Sequence, residues 1–108
     1  MSEETVSKYL PLSEATFYIM TALVSPLHGY AVMQEVEKLS GGTVKLGPGT
    51  LYGAFTTLEK EGLIVKVKEE ERRKSYTLTQ KGKEVLLSQI KRLEIMAENG
   101  KIISLQLQ

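Results

Sequence analysis

The chain has 108 residues, a length that suits one small domain with a single modest core. It has no cysteine, one histidine and no aspartate among its thirteen acids, which leaves little material for disulfides, metal clusters or catalytic constellations. The formal net charge of +1 is unevenly spread: residues 65–83 carry five Lys, two Arg and three Glu, while residues 1–64 balance at −3 and residues 84–108 at zero.

The N-terminus "MSEETVSKYLP" is acidic and lacks the basic-then-apolar layout of a signal peptide. No apolar run approaches the ~20 residues that span a bilayer. The expectation is a cytoplasmic protein with no membrane partner. Residues 1–9 fit no clear pattern.

Ser13 followed by Glu14 predicts a helix start, and Phe17, Met20, Leu23 and Val24 recur at helical spacing until Pro26. "HGYAVMQEVEKLSGG" predicts a second helix, with its core face at Tyr30, Met33, Val36 and Leu39 or their neighbours. His28 orients the turn before it, and Gly41-Gly42 closes it. Tyr30 is open between the core edge and the surface. "TVKL" at 43–46 reads as a short connector compatible with β.

A third helix begins at Gly47 and Pro48, since proline at the first helical position loses no hydrogen bond. Leu51, Ala54, Phe55 and Leu58 follow the i, i+3, i+4, i+7 template, and Gly62 is a natural stop. At about 100° per residue the outer face is Gly49, Thr50, Tyr52, Gly53 and Thr56. That face is bare of charge and rich in hydroxyls. Glycine inside a helix costs ~1 kcal/mol relative to alanine. Gly53 lies opposite the core arc, so its smallness suits something approaching from outside the subunit. Hydroxyls on this face can reach phosphate oxygens or base edges, and a helix N-terminus favours phosphate.

"LIVKVKEE" and "KSYTLT" both alternate and are separated by "EERR", which predicts a hairpin with a polar tip. Arg72, Arg73 and Lys74 put cations on it, the residue type that gives sequence-independent affinity for DNA. Glu69, Glu70 and Glu71 either pair with the following basic residues or point away. Thr79 caps a last helix with apolar positions Leu86, Ile90, Leu93, Met96 and Ala97. Asn99-Gly100 ends or bends it, and "KIISLQLQ" is too short to classify.

The chain is thus mainly α with a small β-hairpin (α+β). Three helices followed by a hairpin describe a winged helix-turn-helix over residues 1–80, with residues 81–108 as a C-terminal helix and tail. In that fold the third helix enters the DNA major groove and the hairpin lies over the backbone. No nucleophile–base pair or metal cluster is visible. "GPGTLYG" lacks the Lys-Ser/Thr of a phosphate loop. We expect no enzyme, no cofactor and no metal. The rival reading is a winged helix that binds protein rather than DNA.

The stretches "LSEATFYIMTAL", "HGYAVMQEVEKLSGG", "LGPGTLYGAFTTLEKEGLI" and "RRKSYTLTQKG" resemble the PadR-like family of bacterial transcriptional regulators, over about residues 10–84. The resemblance implies a homodimer held by the C-terminal helix, a double-stranded DNA operator, and repression relieved by a small molecule. It places Thr50 and Tyr52 toward the operator, Tyr30 near the backbone, and Arg72, Arg73 and Lys74 on a basic wing. Gly47 stands where Ser is common, and Thr56 and Thr57 stand where a basic residue is often found. There is no tryptophan to sandwich a flat drug. A broad apolar stripe over 85–97 suits two-fold dimerisation and a palindromic operator. A small domain has little internal room, so an apolar effector is expected between the dimer helices. Its candidate lining is Phe17, Leu86, Ile90, Leu93 and Met96.

Overall fold

The computed structural model describes residues 3–108. Helix α1 (Glu3–Ser7) is followed by α2 (Glu14–Ala22), strand β1 (Leu27–His28), α3 (Gly29–Leu39), α4 (Pro48–Lys60), β2 (Ile64–Glu70), β3 (Arg73–Leu78) and α5 (Gln80–Leu107). The expected winged helix-turn-helix is therefore present, with a short extra helix before it. No helix among the described residues is long and apolar enough to cross a membrane.

The helix starts follow the predicted caps. The Ser13 hydroxyl accepts the Thr16 N–H at 3.1 Å, and the Thr79 hydroxyl accepts the Gly82 N–H at 3.0 Å. Gly47 and Pro48 open α4 as expected. Gly42, at φ +83°, donates its N–H to the Glu37 carbonyl at 2.8 Å and closes α3 through a left-handed turn.

The core is built by Ile19, Met20 and Leu23 of the α2 segment, Val32 and Val36 of α3, and Leu51, Phe55 and Leu58 of α4. The sheet adds Leu63, Ile64, Tyr76 and Leu78, and α5 adds Val85 and Leu86. α3 buries Gly29, Val32 and Val36: Val36 falls in the core as expected and Met33 packs half-buried against it, while Tyr30 and Leu39 are exposed and Gly29 and Val32, next to Tyr30 and Met33, are the other buried positions. α2 stops at Ala22, which leaves Val24 exposed rather than in the core.

The sheet has three antiparallel strands in the order β1-β3-β2, one more than the hairpin alone. "TVKL" is not a strand. The third strand is Leu27–His28, paired with Tyr76 and Ser75. A bulge between Lys66 and Lys68 interrupts the β2–β3 register, and Val65 and Val67 are both exposed.

α5 runs unbroken for 28 residues, about 42 Å at 1.5 Å rise per residue. Asn99-Gly100 does not end it: the Asn99 side-chain amide donates to the Ile95 carbonyl at 3.0 Å, and the tail continues the helix. The division expected at 80/81 falls at the head of this helix, and the core runs across it. Gln89 is buried and accepts the Leu12 N–H at 2.9 Å. From Glu94 onward every α5 residue is exposed.

Candidate nucleic-acid interface

The main surface groove, about 510 Å³, lies between the start of α3, the outer face of α4 and the wing formed by β2 and β3. It gathers six of the residues predicted from sequence: Tyr30, Tyr52, Thr56, Arg72, Arg73 and Lys74. Tyr30 is 62% exposed, which places it on the surface rather than at the core edge, and Tyr52 is 52% exposed. Gly49 and Thr50 are exposed in the first turn of α4 but do not line this groove. Gly53 lines a separate groove of about 400 Å³ against Leu12, Ser13 and Thr16. A Cβ at Gly53 meets no atom within 4 Å, so no packing inside the subunit accounts for that glycine.

The floor is aromatic. Tyr52 meets Phe55 edge-on with centroids 6.0 Å apart, and Phe55 tilts onto Tyr76 at 4.9 Å. Burial pushes the Tyr76 phenol pKa up, reinforced by the charges of Glu59 and Glu69 and by Tyr52, so its hydroxyl stays a neutral donor. The Thr56 hydroxyl donates to the Tyr52 carbonyl at 2.9 Å.

Tyr52 is seated by a glycine on another helix. A Cβ built on Gly29 lies 2.5 Å from the Tyr52 hydroxyl oxygen and 2.8 Å from the ring carbon bearing it. The glycine of "HGY" thus makes room for the tyrosine of "GTLY". The two motifs are one packing unit.

The rim carries three cations, and two of the three adjacent glutamates are drawn off to lysines, while Glu71 sits in the turn. Glu69 pairs with Lys66 at 3.6 Å and Glu70 with Lys68 at 3.1 Å. The acids turn to lysines that precede them in the chain. Among the described residues no ion pair engages Arg72, Arg73 or Lys74. The turn between the strands is only Glu71-Arg72, and both residues have positive φ, 48° and 70°. This is the twist a two-residue hairpin requires.

Sequence reading missed Glu59, Gly29 and His28 as groove residues. Glu59 was recoverable, because it follows Tyr52 and Thr56 at i+7 and i+3 and shares their arc. Among the effector candidates, Phe17, Leu93 and Met96 line a further groove of about 400 Å³ at the root of the projecting part of α5. Leu86 is buried in the core and Ile90 packs against it, so neither lines that groove. Among the described residues no group of three or more His, Cys, Asp or Glu is placed to hold a metal.

Comparison with known proteins agrees with this geometry. The chain is 40% identical over 75 residues to an uncharacterized 37.1 kDa protein in transposon TN4556 of Streptomyces fradiae, covering 68% of this chain and 21% of that protein. It is 30% identical over 74 residues to the transcriptional regulator YqjI of Escherichia coli K12, covering 68% of this chain and 36% of YqjI. It therefore spans well under half the length of these curated relatives. The crystal structure of smu.1704 from Streptococcus mutans UA159 superposes with a TM-score of 0.68 at 29% identity, covering 89% of this chain and 92% of that one. Residues 7–88 match the Transcriptional regulator PadR-like family, a family of regulators rather than enzymes. The winged fold, the groove and this match together make the chain a member of the PadR-like family of transcriptional regulators.

Proposed function

We propose that this chain is a sequence-specific DNA-binding regulator that acts in the cytoplasm as a homodimer on a palindromic operator. The observation that carries the reading is the groove itself. Three cations, without ion-pair partners among the described residues, line it together with a helix face that offers Tyr52 and Thr56 and carries a single acid, Glu59. Cations of this kind supply affinity through counterion release, and side chains on a helix in the major groove supply discrimination.

The homodimer is supported by α5. Beyond Leu93 it exposes Ile95, Met96, Ile102, Ile103, Leu105 and Leu107, and none of the described residues buries them. Two recognition helices related by a two-fold axis would meet successive major grooves about 34 Å apart. The reading extends to repression relieved by a small apolar effector. The groove at Phe17, Leu93 and Met96 supports a site beside the dimer contact.

The test is selection of bound duplexes from a random library. The expected result is a palindromic motif with half-sites about one helical turn apart. A pool with no enriched sequence would contradict sequence-specific binding and favour a protein-interaction module.

A further inference from the structure

His28 caps α3 and stands at the seam between that helix and the wing, opposite Ser75 in the β1–β3 pairing. It lines the groove between α3, α4 and the wing beside Tyr30, Arg73, Lys74 and Glu59, and it also lines a smaller hollow of about 230 Å³ with Lys68, Arg73, Glu70 and Glu71, where Glu70 is paired with Lys68.

Its Nδ1 accepts the backbone N–H of Ala31 at 3.4 Å as the N-cap of α3. A ring nitrogen that accepts a hydrogen bond carries no proton. A neutral imidazole has one N–H, so the proton sits on Nε2. A proton on Nδ1 would set two N–H donors, its own and that of Ala31, against each other. The cap therefore selects the tautomer. With Nδ1 held by the Ala31 amide, Nε2 is the ring nitrogen left to donate, on a residue that lines both grooves. Among the described residues, none accepts a hydrogen bond from it.

We propose that His28 Nε2–H is a phosphate-binding donor, which hydrogen-bonds a phosphodiester oxygen of a DNA strand passing between the start of α3 and the wing. The inference rests on the DNA-binding reading. Arg73 and Lys74 supply the charge beside it, and His28 supplies direction without charge. The contribution of His28 is therefore separable from theirs: a neutral donor displaces no counterion, so removing it lowers affinity and leaves the salt slope unchanged.

The experiment measures binding of the full chain to operator and scrambled duplexes across a salt series. It compares the wild type with His28→Asn and His28→Ala. Asparagine keeps a capping oxygen, so His28→Asn is expected to melt close to the wild type, whereas His28→Ala melts lower. His28→Ala binds either duplex more weakly, by about tenfold for each hydrogen bond to phosphate removed, with the wild-type slope, whereas the asparagine amide keeps an N–H donor and recovers part of that loss. The chain has one histidine, so ¹⁵N spectra of the wild type report its tautomer without assignment work. The expected spectrum has the proton on Nε2, and its resonance shifts when duplex is added. A His28→Ala protein that binds like the wild type, below its melting temperature, overturns the proposal. So does a reduced slope, a proton on Nδ1, or a spectrum unmoved by duplex. If the wild type binds no duplex at all, the DNA-binding reading itself fails.

Discussion

Among single residues, the groove depends on a glycine that makes room for a tyrosine. Gly29 is where the Tyr52 ring rests, and a methyl group there meets the far end of a half-exposed side chain rather than backbone. Gly29→Ala should therefore swing Tyr52 out of place with little loss of stability. We expect a melting temperature within a few degrees of wild type and operator binding weakened nearly as much as by Tyr52→Ala. A large drop in melting temperature would show that Gly29 serves packing rather than the site. The wing tip offers a second prediction. Glu71 holds a left-handed conformation that asparagine adopts more readily, so Glu71→Asn should add about 0.5–1 kcal/mol to unfolding free energy in urea titration. Residue identities on the outer face of α4 were legible because a helix face follows from spacing alone. The Gly29–Tyr52 packing was not, because it joins residues 23 positions apart and only the packed fold brings them together. The same holds for the acids of the wing. Spacing could not tell whether they would pair forward with arginine or back with lysine.

Between elements, the head of α5 is fastened to the end of α4 and the start of β2. The Thr79 hydroxyl donates to the Gly62 carbonyl at 2.6 Å, and the Thr79 N–H donates to the Leu63 carbonyl at 3.0 Å. The Lys81 ammonium donates to the Glu61 carbonyl at 2.9 Å and lies 4.9 Å from the Tyr9 ring centroid. Gly82 is buried, and a Cβ there would collide with the Leu63 carbonyl oxygen. That obstacle is backbone, so it cannot swing aside as Tyr52 can. Gly82→Ala should cost about 1–3 kcal/mol in chemical denaturation, against a near-neutral Gly29→Ala. Equal costs for the two would mean that α5 can shift freely on the wing. The caps of α2, α4 and α5 could be read from sequence because each is a local pattern of one polar or glycine residue before an apolar run. β1 could not be read, since two residues form a strand only where Tyr76 and Ser75 already offer an edge. α1 was equally silent: five residues hold a helix there because Val6 is buried in the core.

In the molecule as a whole, α5 has two jobs divided near Leu93. Its first turns complete the core through Val85, Leu86 and Gln89, and its later turns expose apolar residues to solvent. A chain ending at Leu93 should keep its fold and sediment as a monomer at concentrations where the full chain is a dimer. A dimer of unchanged strength would place the interface elsewhere. The periodicity of α5 was legible, but which part served the core was not, because only the position of the other helices sets where the subunit ends. The division of labour at the interface, with α4 reading sequence and the wing holding phosphate, is decided by one binding measurement. Tyr52→Ala, Arg72→Ala and Arg73→Ala proteins are titrated with operator and scrambled duplexes over a range of salt. Tyr52→Ala should lose ~1–3 kcal/mol on the operator and little on scrambled DNA. Each arginine variant should lose affinity for both, and its salt slope should fall by about one per phosphate released, doubled in a symmetric dimer. Arginine variants with the wild-type slope, together with a Tyr52→Ala protein that still selects its operator, would contradict this division.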